Sequence, residues 1–166
     1  MKVAIGHELV AFLDGDGSCD PSELAAMVTA AEEHGADLVL GRREHVDPGA
    51  LPLHARFGNR LVAKVLSFRT GQPLGDLPPF KLARGDALEN LRLDEPGFGW
   101  TVQLVGRSLA HPALRVVERP SRFRVRTGGI SKVSGRLGPS VRAGSAMLGR
   151  AGHSSSFRDT LDSATS

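Results

Sequence analysis

A short apolar run, Val10-Ala11-Phe12-Leu13, ends abruptly in Asp14-Gly15-Asp16-Gly17, and a helix start follows at Asp20-Pro21-Ser22-Glu23. The run is long enough for one buried strand, and the two glycines allow a sharp turn beside the carboxylates. Asp20 is placed to cap, Pro21 sits at the first helical position, and Glu23 completes a capping box. Leu24, Met27, Val28 and Ala31 then recur at helical spacing, and Gly35 ends the helix. Asp37-Leu38-Val39-Leu40-Gly41 reads as a second strand leading into a basic turn at Arg42-Arg43. Helix followed by strand in this order predicts an α/β domain with a largely parallel sheet. Alternate side chains at a strand end point the same way, so Asp14 and Asp16 can converge. Open α/β sheets bind ligands at the carboxyl ends of their strands, where this pair is expected.

Two converging hard oxygen ligands suit Mg²⁺ or Mn²⁺ carrying a phosphorylated substrate. The residues alone leave three readings open. Asp-Gly-Asp-Gly serves as a polar turn; or an aspartate is a nucleophile, as in haloacid-dehalogenase-like phosphatases, with Lys81 and Asp86 downstream; or both aspartates hold a metal and a nucleotide-sugar diphosphate. An EF-hand calcium loop is excluded, because counting from Asp14 puts Cys19 at the glycine position and Ala25 at the terminal glutamate position.

Further along, residues 44–52 read as a loop and Leu53 to Phe68 as a longer helix, with Phe57, Leu61, Val65 and Phe68 lining one face that Val62 and Leu66 widen. A Gly- and Pro-rich stretch, Gly71 to Pro79, contains Asp76. Phe80 to Ala83 is expected as a strand, and Asp86 as the cap of a short helix through Leu91. Trp100 to Leu109 reads as a helix with Leu104, Val105 and Leu109 inward, and Leu114 to Glu118 as a strand. Arg122, Arg124 and Arg126 alternate with Phe123 and Val125, a period of two that places the three arginines on one face. Residues 138–166 are expected to form a short helix and a disordered tail.

The 166 residues suffice for one domain with a real core. A lone cysteine, Cys19, cannot form an internal disulfide, which fits a reducing compartment. No apolar run approaches the roughly 20 residues of a membrane span, and the six histidines show no metal-ligand spacing. Charge is uneven: residues 1–104 carry 10 Lys/Arg and 15 Asp/Glu, a net of −5, whereas residues 105–166 carry 11 and 3, a net of +8. A basic C-terminal third implies an anionic partner, either phosphate or an acidic lipid surface. Scarce aromatics there argue against nucleic acid.

Seven stretches, in order and spacing, carry a resemblance. They are Leu13-Asp14-Gly15-Asp16-Gly17 with Asp20-Pro21, Ala36 to Arg43, Gly58-Asn59-Arg60-Leu61, Asp76-Leu77-Pro78-Pro79-Phe80-Lys81, Gly99 to Gln103, Val117-Glu118-Arg119-Pro120, and Arg126 to Gly135. Together they resemble family-2 glycosyltransferases of the branch that includes dolichyl-phosphate mannosyltransferase. The resemblance implies a GT-A (Rossmann-like) fold, a nucleotide-sugar donor and a divalent metal, Mg²⁺ or Mn²⁺, held by Asp14 and Asp16. It implies inverting transfer, commonly to a polyprenyl phosphate. It further implies donor-phosphate contacts from Asp14, Asp16, Arg43, Arg126, Ser131 and Lys132, and catalytic positions at Asp76 and Gln103. The family often has Glu where this chain has Gln103, and Gln cannot usefully accept a proton at neutral pH. A phosphate acceptor is already anionic and needs no strong base.

Only 13 residues precede Asp14, whereas family members place a longer nucleotide-binding segment there. The expectation is therefore an N-terminally truncated catalytic domain over residues 1–137, an open sheet edge, and little or no transferase activity from this chain alone. The alternatives are a haloacid-dehalogenase-like phosphatase and a non-catalytic fragment that binds an anionic surface. The expected location is the cytoplasm, with peripheral contact at the cytoplasmic face of an anionic membrane.

Overall fold

A computed structural model describes residues 8–96 and 98–128. Its first strand, β1, spans Leu9–Phe12, and a single 3-10 turn at Pro21–Glu23 leads into helix α1, Leu24–His34. Asp20 caps this start by accepting the Ser22 N–H at 3.1 Å and the Ser22 hydroxyl at 2.7 Å. Gly35 closes α1 in the left-handed conformation at φ +55°, which glycine adopts at little cost. The capping box does not form as expected. The Glu23 carboxylate instead accepts from the Ser121 hydroxyl and the Arg122 N–H, fastening α1 to a strand almost a hundred residues away.

Strand β2 runs Leu38–Val46, helix α2 Leu53–Thr70, strand β3 Lys81–Arg84, helix α3 Gly85–Asn90, helix α4 Phe98–Ala110 and strand β4 Val116–Phe123. The sheet order is β1-β3-β2-β4. β3 pairs antiparallel with both β1 and β2, and β2 pairs parallel with β4. The sheet is mixed, as expected of an α/β domain of this kind. Three of its strands share one direction, as the alternation predicts; β3 is the reversed strand, and by lying between β1 and β2 it turns two of the three pairings antiparallel. β1 forms one edge of the described sheet.

Alternate residues of the central strands feed two apolar layers. Leu38, Leu40 and Ala83 pack with Ala63 and Leu66 of α2 and with Val102 and Val105 of α4. Val39 and Leu82 pack with Met27 and Ala31 of α1 on the opposite face. Each fully buried large side chain of this kind contributes about 1.5–3 kcal/mol.

Three local expectations change. Arg42-Arg43 lies inside β2 rather than in a turn, because β4 continues past Glu118 and pairs Arg42 with Pro120 and Arg43 with Ser121; a register shift follows between Arg43 and His45. Asp86 sits in the first turn of α3 and accepts the following Ala87 N–H, so Arg84 occupies the cap position. The broad apolar stripe of α2 faces outward: Phe57, Leu61, Val65 and Phe68 are exposed, while Ala63 and Leu66 are buried. The small face of α2 is inside because α4 comes close: a Cβ at Gly106 would stand 3.1 Å from Leu66 Cδ2. The expected helix and tail at 138–166, and the boundary at residue 137, lie outside the described residues.

Candidate active site

Asp14 and Asp16 lie beyond the last residue of β1, in a turn rather than on the strand itself. The pleat of a strand therefore does not align them; the turn and its partners do. The Asp16 carboxylate accepts the Ser18 N–H at 2.9 Å and faces the Arg126 guanidinium at 3.4 Å. Partial burial alone would raise the Asp16 pKa, but the Ser18 hydrogen bonds and the Arg126 charge outweigh it and hold the group below its ordinary value. Asp16 is thus ionised at neutral pH. Asp14 is exposed.

The chain after β4 folds over this turn. Cys19 bridges Phe123, the Arg124 N–H donates to Ser18 O at 2.9 Å, and the Thr127 N–H donates to Asp16 O at 2.8 Å. Gly17 makes the closure possible. Its φ is +82°, and a Cβ there would stand 2.4 Å from the Thr127 hydroxyl. Of the expected phosphate contacts, Arg126 is therefore brought to Asp16, while Ser131 and Lys132 lie outside the described residues.

Arg43 and Asp76 are brought to each other. Arg43 Nε and Nη2 each donate to one Asp76 carboxylate oxygen at 2.7 Å, and Nη2 also donates to Leu77 O at 3.1 Å. The two side chains are only 8% and 13% exposed, so this bidentate pair is the kind whose rupture leaves a buried charge without compensation. Glu118 completes the arrangement by accepting the Gly75 and Asp76 N–H groups. Gln103 sits apart from these groups. It is buried on α4, where its Oε1 accepts the Asp94 and Glu95 N–H groups and its Nε2 donates to the Asp94 carboxylate. It shares no hydrogen bond with Asp14, Asp16, Arg43, Asp76 or Arg126.

Lys81 joins the two groups of charges. It is 2% exposed, and its Nζ donates to Pro78 O at 2.9 Å and Pro79 O at 3.0 Å. Burial lowers its pKa to about 8, against the opposing pull of Asp14 and, more weakly, Asp76. Its Nζ also lies 6.0 Å from the Trp100 ring centroid. Trp100 in turn stacks at a tilt on Phe12, 4.6 Å between centroids, and its buried Nε1 has no partner among the described residues. Sequence reasoning quoted Lys81 and Glu118 within the stretches that carry the resemblance but gave neither a role in the family-2 site, and considered Lys81 only for the phosphatase alternative. The available signal was a lysine inside an otherwise apolar strand, Phe80-Lys81-Leu82-Ala83.

Residues 2–90 match the glycosyl transferase family 2 pattern, more than half of the chain. The chain belongs to glycosyl transferase family 2. It is 38% identical over 135 residues to an uncharacterized glycosyltransferase of Mycobacterium tuberculosis, covering 81% of this chain and 61% of that one. It is 29% identical over 138 residues to polyprenol monophosphomannose synthase of Mycolicibacterium smegmatis, covering 78% of this chain and 51% of that protein. It is 30% identical over 140 residues to undecaprenyl-phosphate mannosyltransferase of Micrococcus luteus, covering 80% and 56%. This family-2 chain thus spans about half to three-fifths of the length of these curated relatives. Membership in family 2 leaves the phosphatase reading without support.

The donor set fits the divalent cation that the resemblance implies. No group of three or more His, Cys, Asp or Glu side chains able to hold a metal occurs among the described residues. Mg²⁺ sites, however, commonly use one or two carboxylates and complete their shell with substrate phosphates. An exposed Asp14 and an ionised Asp16 supply that number. No helix among the described residues is long and apolar enough to cross a membrane.

Proposed function

We propose that this chain carries the donor-diphosphate side of an inverting nucleotide-sugar transferase whose acceptor is a polyprenyl phosphate. Asp14 and Asp16 would hold Mg²⁺ or Mn²⁺, which when bound offsets charge on the departing nucleoside diphosphate. Arg126, now on Asp16, is positioned to transfer its guanidinium to a donor phosphate that arrives at the same turn, adding a fixed positive charge where negative charge develops. Ser131 and Lys132 continue the same segment and belong to the proposed phosphate contacts. Arg43 serves by holding Asp76, and through it the loop that leads to Lys81.

The observation that carries the choice of acceptor is the state of Asp76 and Gln103. Asp76 is committed to Arg43 on both oxygens, and Gln103 is committed to the 94–95 backbone. Neither is free to take a proton from a sugar hydroxyl. A phosphate monoester needs no such help, since it attacks as an anion. Two of the similar proteins bear names with polyprenol or undecaprenyl phosphate acceptors, in keeping with this reading. Such an acceptor is anchored in a bilayer, so the site would work at the cytoplasmic face of a membrane.

Calorimetric titration tests the donor half. Mn²⁺ alone should bind weakly, a nucleoside-diphosphate sugar from a panel of bases and sugars should raise its affinity, and Asp16→Asn should remove that coupling. Equal Mn²⁺ affinity with and without the nucleotide sugar would refute the proposal.

A further inference from the structure

The outward face of α2 has a composition that its position in the core does not explain. Leu53, Phe57, Leu61, Val65 and Phe68 follow at spacings of four, four, four and three, which keeps them on one side of a helix. Leu53 is 81% exposed, Phe57 71% and Phe68 91%. The opposite side already supplies the contacts that hold α2 in the fold, through Ala63 and Leu66. The exposed stripe therefore buries nothing within the described structure.

Charge says what could cover it. From Pro48 to Gly75 the chain contains no acidic residue, while α2 carries Arg56, Arg60, Lys64 and Arg69, all exposed. None of these four takes part in an ion pair among the described residues. A helix with large apolar side chains on one exposed face, flanked only by cations, matches the pattern that lies flat in a bilayer interface. Its long basic side chains would reach the headgroups while their stems cover apolar surface. A protein partner for such a face would have to be both apolar and strongly acidic, whereas an anionic bilayer supplies both properties over any area.

We infer that α2 is the surface by which this chain docks, peripherally, on an anionic lipid bilayer. The placement agrees with the chemistry. α2 is the direct connection between β2, which carries Arg43, and the loop that carries Asp76, and those two residues are locked together. Docking α2 therefore puts lipid on the segment that links the two residues of that pair along the chain. The inference extends the polyprenyl-phosphate reading, yet vesicle binding requires neither donor nor acceptor, so the two can fail separately.

The test is flotation of the 166-residue chain with phosphatidylcholine vesicles, with and without 30% phosphatidylglycerol. The expected result is binding to the anionic vesicles only. Leu53→Ser, Phe57→Ser and Phe68→Ser combined should abolish it, and Arg56, Arg60, Lys64 and Arg69 changed to Gln should weaken it by roughly tenfold or more. All seven positions are exposed, so the thermal midpoints of both variants should match the parent. A second measurement does not depend on those variants. Phe68→Cys should react rapidly with a maleimide in solution and at least about tenfold more slowly on anionic vesicles, with buried Cys19 silent throughout. Equal vesicle binding by the triple Ser variant would overturn the inference. So would protection of Phe68→Cys in the absence of vesicles, which would mean that another segment of this chain or a second copy already covers the face.

Discussion

The protein has two basic regions, one conspicuous in the sequence and one not, and the fold treats them oppositely. Along β4 and the segment after it, Arg122 pairs with Asp47, Arg124 with Asp20 and Arg126 with Asp16. Each arginine finds its own aspartate, and every partner lies 75 or more positions away in the chain. On α2, by contrast, four cations stand without any acidic neighbour in sequence or any ion pair among the described residues. The run of arginines that drew attention to an anionic surface is largely neutralised internally; the quieter helix is not. Local charge density is a poor guide to surface potential when tertiary contacts decide which charges are matched.

Substitutions should separate these classes of cation by size of effect. Arg43 is the extreme case of a matched charge. Arg43→Ala should lower stability by about 3–5 kcal/mol, because it strands a nearly buried carboxylate, and urea denaturation at pH 7 measures it. An unchanged midpoint would mean that Asp76 is solvated more easily than its burial suggests.

Lys81 is a buried cation matched only by carbonyls. Its folded pKa, about 8, lies below its ordinary value of 10.5. Between those values the unfolded chain binds more protons than the folded one, so this group makes stability rise with pH across that window. The rise is on the order of 2–3 kcal/mol at most. Denaturation midpoints from pH 7 to 10.5 should show it, and Lys81→Met should flatten the curve. The chain has no tyrosine to titrate in the same range.

The smallest effects belong to the exposed pairs. Arg122→Ala and Arg124→Ala should each cost less than about 1 kcal/mol, and together they should leave vesicle flotation within about twofold of the parent. A large loss of flotation in that double variant would erase the distinction between the two basic regions.

How far the sequence could be read follows the same division between near and distant partners. The start of α1 was legible because Asp20, Pro21 and Ser22 act on one another within a single turn, and its end because Gly35 alone accepts the left-handed conformation. The extension of β2 through Arg42 and Arg43 was not, since those residues are held extended by pairing with β4. Glu23 looked like a cap by spacing, yet Ser121 and Arg122 supply better partners across the sheet. The stripe on α2 was found correctly and oriented wrongly, because the rule that the broadest apolar face turns inward ignores how closely Gly106 lets α4 approach the smaller one. At the site, the resemblance led to Asp16 and Arg126, which the fold brings together. It included Lys81 and Glu118 in its stretches without giving them a place at the site, because their surroundings come from a buried strand and from two backbone amides contributed by a different loop.

The clasp between Asp16 and Thr127 has a consequence in time as well as space. The two residues are 111 positions apart, and a ribosome adding about 5–20 residues per second needs several seconds to cover that interval. Throughout it, neither the Arg126 guanidinium nor the Thr127 amide exists to meet the aspartate turn. During that wait β1 lacks its partner until β3 has been made, and Glu23 lacks Ser121 and Arg122 until β4 has. Closure of the clasp is thus deferred until translation has passed the end of the sheet.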